Sequence, residues 1–235
     1  MTDKRKSYPK YTSPRGTFRY PKLTEPDFGN EKFPKPDGEY KVDLILSSEE
    51  AKPLIEKLQP LHDEAMRDAQ VEFDKLPVKT RKEFEKKGVT GPVANSFYSE
   101  IYDEETEEPT GDVYFRFKMK ASGKSKKTGK VWKRKPVVFD AKGKPMVNPP
   151  EIWGGTIGKV SFEAVPYFIS GTAAAGVRLS LSAAQVIELR SGGGGNAESY
   201  GFGEEEGYEY SDEDAPAKSE GFGNETSSDD GEEDF

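Results

Sequence analysis

The 235-residue chain contains no cysteine and a single histidine, His62. The first absence excludes disulfide scaffolds, Cys-ligated zinc, iron–sulfur sites and thiol nucleophiles, and fits a reducing compartment. The second excludes a His-rich metal centre. No apolar run approaches the ~18 residues of a membrane span, and the opening MTDKRKSYPKY lacks the apolar stretch of a secretory signal. A soluble intracellular protein with no membrane association is expected. Apolar residues are themselves scarce, at 33% hydrophobic against 33% charged. That ratio suits a globular part joined to polar segments better than a uniformly folded chain.

Catalytic signatures are missing as well. The sequence has no G-x-S-x-G, no Walker A and no G-x-G-x-x-G. His62 lies beside Asp63 and Glu64 on an amphipathic stretch, which reads as a structural histidine rather than a general base. Gly154, Gly155 and Gly158 resemble a phosphate loop only superficially, since they precede a strand pattern rather than a helix. The carboxylates near the C-terminus lack the ligand spacing of a calcium loop. The expectation is therefore a protein with no catalytic residue, no cofactor and no metal.

What the sequence does have is charge, unevenly placed. Up to Arg190 there are 34 basic and 28 acidic residues; beyond it, one basic residue faces 15 acidic ones. The net charge of −8 thus conceals a basic body and an acidic tail. The tail, residues 191–235, has ten glycines and no Val, Ile, Leu or Met, so it offers too little apolar surface to offset the entropy lost on ordering and is expected to be disordered. Tyr200, Phe202, Tyr208, Tyr210 and Phe222 alternate there with glycine and acid, before the ending Asp229, Asp230, Glu232, Glu233, Asp234 and Phe235. A solubilising tail and an interaction arm that competes for a basic groove on its own body are both open.

Within the body, residues 113–147 contain twelve Lys or Arg and one acid, Asp140. Residues 1–22 add seven basic residues interleaved with Tyr8, Tyr11, Phe18 and Tyr20, and six prolines before Asp37 keep this arm, residues 1–16 above all, extended.

Hydrophobic periodicity places these charges on a fold. Residues 39–46 alternate as a half-buried strand, with Tyr40, Val42, Leu44 and Leu46 on one face. A helix follows from Glu50 to Lys75, opened by a capping box from Ser47 to Glu50 and kinked or divided by Pro60. Residues 77–112 show no sustained period and read as a long, functional or mobile connection. Val113, Phe115, Phe117, Met119 and Ala121 then face a core, opposite Tyr114, Arg116, Lys118 and Lys120. A lysine-rich turn, residues 123–129, leads into a returning strand over 131–140 that carries Trp132 and Arg134. Further strands are expected over 17–23, over 157–169 with a bulge at Pro166, and over 175–189 with Val177, Leu179 and Leu181 inward. About six strands and one capping α-helix without βαβ alternation make a mainly β, small antiparallel Greek-key barrel over residues 1–190.

Tyr114, Arg116, Lys118, Lys120, Trp132, Arg134, Lys159 and Tyr167 share the polar face of that barrel. Cations follow a phosphate backbone and ring faces stack on unpaired bases at about 1–3 kcal/mol each without selecting sequence, whereas a duplex offers no free base faces. The competing reading is that Tyr114 and Trp132 pair across the hairpin while the lysines solvate an exposed face.

Certain stretches, in this order and spacing, resemble the single-stranded DNA-binding proteins of short-tailed, T7-like lytic phages over nearly the whole chain. They are Gly38 to Leu44, His62 to Ala65, Phe115 to Lys118 with Ala121 and Ser122, Val138 to Lys144, Gly154 with Gly155, Lys159 with Val160, Val165 to Tyr167, and the acidic ending in Phe235. The resemblance implies an OB-fold homodimer in the cytoplasm of a bacterial host. It would bind single-stranded DNA without sequence preference and promote strand annealing in viral DNA replication, recombination and repair. The tail would contact the phage DNA polymerase and the helicase-primase. Lys118, Lys159 and Tyr167 match positions of DNA contact, and Phe235 matches a terminal aromatic needed for tail function. Where the family has a tryptophan two residues after the tyrosine, this chain has Ile169, so that platform is lost or replaced by Phe168 or Trp132. Lys120 stands where the family has an aromatic, and Arg81 or Lys82 matches a basic loop residue. The alternative from another class is an acidic adaptor that engages basic partners through the tail without nucleic acid.

Overall fold

The computed structural model describes residues 8–125 and 128–191. The predicted disorder of the tail and the partner-binding role of Asp229, Asp230, Glu232, Glu233, Asp234 and Phe235 lie outside the described residues, as do Lys126, Lys127 and the first seven residues of the basic arm. Among the described residues the elements run β1 (Lys10–Thr12), β2 (Gly16–Gly29), β3 (Pro34–Ser47), α1 (Ser48–Asp74), α2 (Val78–Glu85), β4 (Val93–Asn95) and β5 (Ser99–Tyr102). Then come β6 (Pro109–Lys120), β7 (Ser122–Lys124), β8 (Val131–Lys133), β9 (Val137–Phe139), β10 (Ile157–Ile169) and β11 (Ala174–Glu188).

Five strands close into a barrel in the order β2, β3, β6, β11, β10 and back to β2. Four contacts are antiparallel and the β6–β11 contact is parallel. The strict alternation of β3 and β6 sets their register, Val42 opposite Phe117 and Leu44 opposite Phe115, so that all four side chains are fully buried. Phe162 of β10 meets Phe117 across the core at 4.9 Å between ring centroids. Each such buried side chain stabilises the fold by about 1.5–3 kcal/mol relative to exposure.

The capping box is present: the Ser47 hydroxyl accepts from the Glu50 N–H while the Glu50 carboxylate accepts from the Ser47 N–H. The expected capping helix is α1, which presents Ala51, Leu54, Leu58, Ala65, Ala69 and Phe73 to the core and packs against β10 and β11. It is not divided at Pro60. Pro60 and Glu56, whose carbonyl loses its intrahelical donor, lie on the exposed side, where water can satisfy that oxygen, while the buried stripe holds both halves.

Five other expectations are corrected. Residues 77–112 are not an unstructured connection: they hold α2, β4 and β5, three elements too short and too exposed to show a period. The helix α2 is a second helix beside the expected one, anchored by Phe84 against Phe73 at 5.9 Å between centroids. The strand expected over 17–23 runs the full length of β2. Finally, the returning strand breaks at Pro136, which has no N–H for a ladder. Before it β8 pairs with β7, and after it β9 runs parallel to β11, with Val137 opposite Ala183. Pro166 introduces no bulge, since Pro166 pairs in register with Val177. The other edge of β10 is covered by β1 only as far as Glu163, so a missing donor there breaks no ladder.

Candidate nucleic-acid interface

The outer face of β6 is built by the same alternation that buries Phe115 and Phe117, and it sits against the acidic outer face of β3. Antiparallel register brings Asp43 opposite Arg116, Lys41 opposite Lys118 and Glu39 opposite Lys120. The Asp43 carboxylate accepts from Arg116 Nε and NH2, both at 2.9 Å, and lies 3.4 Å from Arg19. Lys118 Nζ is 3.4 Å from Glu39, and Lys120 Nζ donates to Asp37 at 2.9 Å. The face expected to be cationic is therefore a mixed ladder in which each basic side chain of β6 already has a carboxylate. Glu39 and Asp43 share the outward parity of β3, but only the strand pairing sets them against the cations.

Burial works to raise the Glu39 pKa, but Lys35 and Lys118 outweigh it and hold the carboxyl below its ordinary value. The bond to Asp43 pushes the Arg116 guanidinium further up, against desolvation. Tyr114 is covered on this face. The Arg19 guanidinium lies 4.1 Å from its ring centroid and that of Arg116 lies 5.4 Å away, so its stacking capacity is taken by cations from the protein.

The second half of the face lies across β11 and β10. Parallel pairing sets Lys118 beside Ser180, and antiparallel pairing sets Ser180 beside Glu163. One turn of the pleat away, Arg178 stands opposite Val165 and is exposed. Arg134 reaches this patch from the segment after β8, fixed by its Nε donating to the Lys120 carbonyl at 2.8 Å. Its pKa is lowered, first by desolvation and then by the like charge of Arg178, with Glu163 opposing. Arg134 thus lies close enough to Arg178 to feel its charge, with Glu163 opposing it. Trp132 lies 5.1 Å from Arg134 and covers Gly123, where a Cβ would come within 2.5 Å of the indole; the ring is 38% exposed.

Lys159 and Tyr167 bracket this patch on the outward parity of β10, about 26 Å apart at ~3.3 Å per residue. Lys159 borders a cavity of about 350 Å³ with Thr12, Phe139 and Gln185. Tyr167 Oη accepts from Asn95 Nδ2 at 2.9 Å, and the Asn95 carbonyl lies 3.0 Å from His62 Nε2. The single histidine is thereby part of the scaffold that seats Tyr167. Phe168 packs, partly buried, against a small cluster of Phe73, Phe84 and Ala173, while Ile169 is 49% exposed.

The sequence reading passed over Arg178, although the inward parity of Val177 and Leu179 implies it. It also passed over Phe28 and Phe33, 60% and 74% exposed on the β2–β3 hairpin, because no period marks the end of a long hairpin. Among the described residues no group of three or more His, Cys, Asp or Glu could hold a metal ion, and no helix is long and apolar enough to cross a membrane.

Residues 16–189 match the family model described as the single-stranded DNA-binding protein of bacteriophage T7. The chain is 34% identical over 202 residues to the single-stranded DNA-binding protein of Enterobacteria phage T3, covering 84% of this chain and 83% of that protein. It is 32% identical over 203 residues to the corresponding protein of Escherichia phage T7, covering 84% of each. The crystal structure of gp2.5, a single-stranded DNA-binding protein encoded by bacteriophage T7, superposes with a TM-score of 0.59 at 29% identity, covering 87% of this chain and all of that one. It shares the OB-like barrel. The chain, then, belongs to the T7 single-stranded DNA-binding protein family.

Proposed function

We propose that this protein binds single-stranded DNA, without regard to sequence, along the outer face of β6, β11 and β10. The backbone would pass Tyr167, the Arg134 and Arg178 pair with Lys118, and then Lys159, while bases stack on Tyr167 and Trp132. The observation that carries this reading is geometric: Arg134, held on the Lys120 carbonyl, and the exposed Arg178 come from separate elements to the outer face that also carries Lys118. A phosphate can accept from both guanidinium groups there. Arg116 contributes through the exposed half of its guanidinium while still held by Asp43, Lys120 after exchanging Asp37 for a phosphate oxygen, and Tyr114 orders the guanidinium groups around it.

The finer reading extends to annealing of complementary strands in viral DNA replication, recombination and repair, with the protein acting as a non-enzymatic homodimer in the infected bacterium. The acidic residues 191–235, with Phe235 at the end, recruit the phage DNA polymerase and helicase-primase. Charge composition and family membership support this part.

Titration of a labelled oligothymidylate with the full-length protein at several salt concentrations tests the reading. Log affinity should fall with log salt at roughly −0.7 per phosphate contacted. Arg178→Ala should weaken binding and flatten that slope by about one contact. Salt-insensitive binding, or a preference for duplex, would overturn it.

A further inference from the structure

The hairpin of β2 and β3 extends past the barrel and leans over the segment joining β6 to β8. Between them lies a cavity of about 500 Å³, in the range of small-ligand sites. Its apolar wall is made by Pro26, Phe28, Tyr40 and Ala121. Its rim is basic, with Lys133, Arg134 and Lys135 in succession. Asp37 and Ser122 supply the remaining polar groups, the Asp37 carboxylate being paired with Lys120 and its carbonyl accepting from the Ser122 hydroxyl at 2.8 Å.

Two features show that the cavity is built into the fold. Gly38, next to the lining residue Asp37, has φ +67°, and a Cβ there would come within 3.1 Å of the Phe28 ring and of Pro26, and 3.2 Å of Ala121. A side chain at this position would crowd three residues of the apolar wall, and its positive φ favours glycine. The segment that carries Phe28 is also pinned: the Asp27 carboxylate accepts from Lys35 at 2.8 Å, from Lys41 at 2.7 Å and from the Gly29 N–H at 2.8 Å. A mostly exposed ring is thus held on a stiff frame beside three cations.

We infer that this cavity is a nucleotide subsite, in which one base of a DNA single strand stacks on Phe28 while its phosphates lie on Lys133 and Lys135. The inference rests on the strand path proposed above, which already includes Arg134 and so leads to the mouth of the cavity. A flat ring, an apolar wall and adjacent ammonium groups match a base joined to a phosphate more closely than an acidic peptide, which would set its carboxylates against Asp37. Phe28 supplies the platform that Ile169 lacks at the far end of the face. The hairpin then closes on the strand from the opposite side of the barrel to Tyr167.

The experiment compares full-length wild type, Phe28→Ala, Phe28→Trp and Lys159→Ala in equilibrium titrations with oligothymidylates of increasing length. Phe28→Ala should bind long oligonucleotides about 10-fold more weakly, the loss of one base stack, and should reach its plateau affinity at a shorter length. Phe28→Trp should restore both and show indole quenching on binding. A Phe28→Ala protein within about twofold of wild type, with unchanged length dependence, overturns the subsite. If Lys159→Ala is weakened in that same experiment, the strand path stands without the cavity; if it too binds like wild type, the path falls with it. An unchanged urea midpoint for Phe28→Ala establishes that the loss is one of binding, since Phe28 is mostly exposed.

Discussion

Arg116 grips Asp43 with two parallel hydrogen bonds across the β3–β6 ladder, and Asp43 is nearly buried while Arg116 is half exposed. The asymmetry decides what each residue does. Asp43 needs a cation to be buried at all, and Arg19 at 3.4 Å is the weaker of its two partners. Arg116→Ala should therefore destabilise the fold by about 2 kcal/mol, below the range for a fully buried pair because solvent reaches the guanidinium. Lys159→Ala, on the same outer surface but without a carboxylate partner of this kind, should leave the urea midpoint unchanged. Equal midpoints for the two variants would refute the structural role of Arg116.

The Asp27 cluster makes a prediction about acid. Hydrogen bonds from Lys35 and then Lys41, joined by the Gly29 N–H, hold the Asp27 carboxyl well below the usual carboxylate range, against a smaller effect of burial. A carboxyl depressed in the folded state adds stability above its unfolded pKa of about 3.9 and loses it as the pH falls below that value. Asp27→Asn should be less stable than wild type at pH 7, and the gap should close as the pH is lowered from 4 towards 2. Lys35, whose pKa is raised chiefly by Asp27 and Glu39, gives the mirror effect, lost as the pH rises past its ordinary value near 10.5. Chemical denaturation across pH measures both limbs.

The legibility of this fold divides along physical lines. Strands β3 and β6, and the helix α1 with its capping box, announce themselves because each keeps one face buried over many residues, so a period of 2 or 3.6 runs unbroken through the sequence. The short elements α2, β4 and β5 bury little and therefore show no period. For the site, alternation placed Lys118, Lys159 and Tyr167 outward but gave no register between strands. Only the pairing of β3 with β6 reveals that Glu39 and Asp43 face the cations. Likewise only the pairing of β8 with β7, continued by the hydrogen bonds from Arg134 to the Ala121 and Lys120 carbonyls, brings Arg134 to this face.

That ladder predicts that carboxylates restrain binding. In Glu39→Gln the Lys118 and Lys35 ammonium groups lose their shared anion, 3.4 Å and 2.8 Å away, and Lys118 becomes free for phosphate. Single-stranded DNA affinity should rise severalfold at low salt, with a slope steeper by about one contact, 0.7 in log–log terms. The gain should vanish at high salt as screening shortens the reach of the charge. A loss of affinity would mean that Glu39 positions Lys118 for DNA instead of competing with it.

Charge also predicts the effect of the tail. Removing residues 191–235 takes away 15 acidic residues and one basic one, leaving a protein of net positive charge that attracts a polyanion more strongly. Binding to single strands should tighten, most of all at low salt. Phe235→Ala changes no charge, so it should leave the salt slope for DNA as it was while weakening capture of the phage polymerase and helicase-primase. If the proposed partners are captured by Phe235→Ala as well as by wild type, the tail's role reduces to its charge.

Ile169 gives the last prediction, a gain rather than a loss. It stands on β10 two residues past Tyr167, half exposed, and pairs with Ala174 of β11. Nothing larger than that alanine faces it across the ladder, and Phe168 before it is already anchored in the cluster with Phe73 and Phe84. A tryptophan at 169 can therefore extend into solvent without displacing the core, next to a tyrosine already oriented by Asn95. Ile169→Trp should tighten binding to single-stranded DNA by about 10-fold, the effect of one added base stack, and the new indole should be quenched on binding. The folded protein should be no less stable. Because stacking is insensitive to salt, the tighter binding should leave the salt slope unchanged, which separates this gain from the electrostatic one expected for Glu39→Gln. Affinity equal to wild type, with an unquenched indole at 169, would show that the strand does not run past Tyr167 along β10.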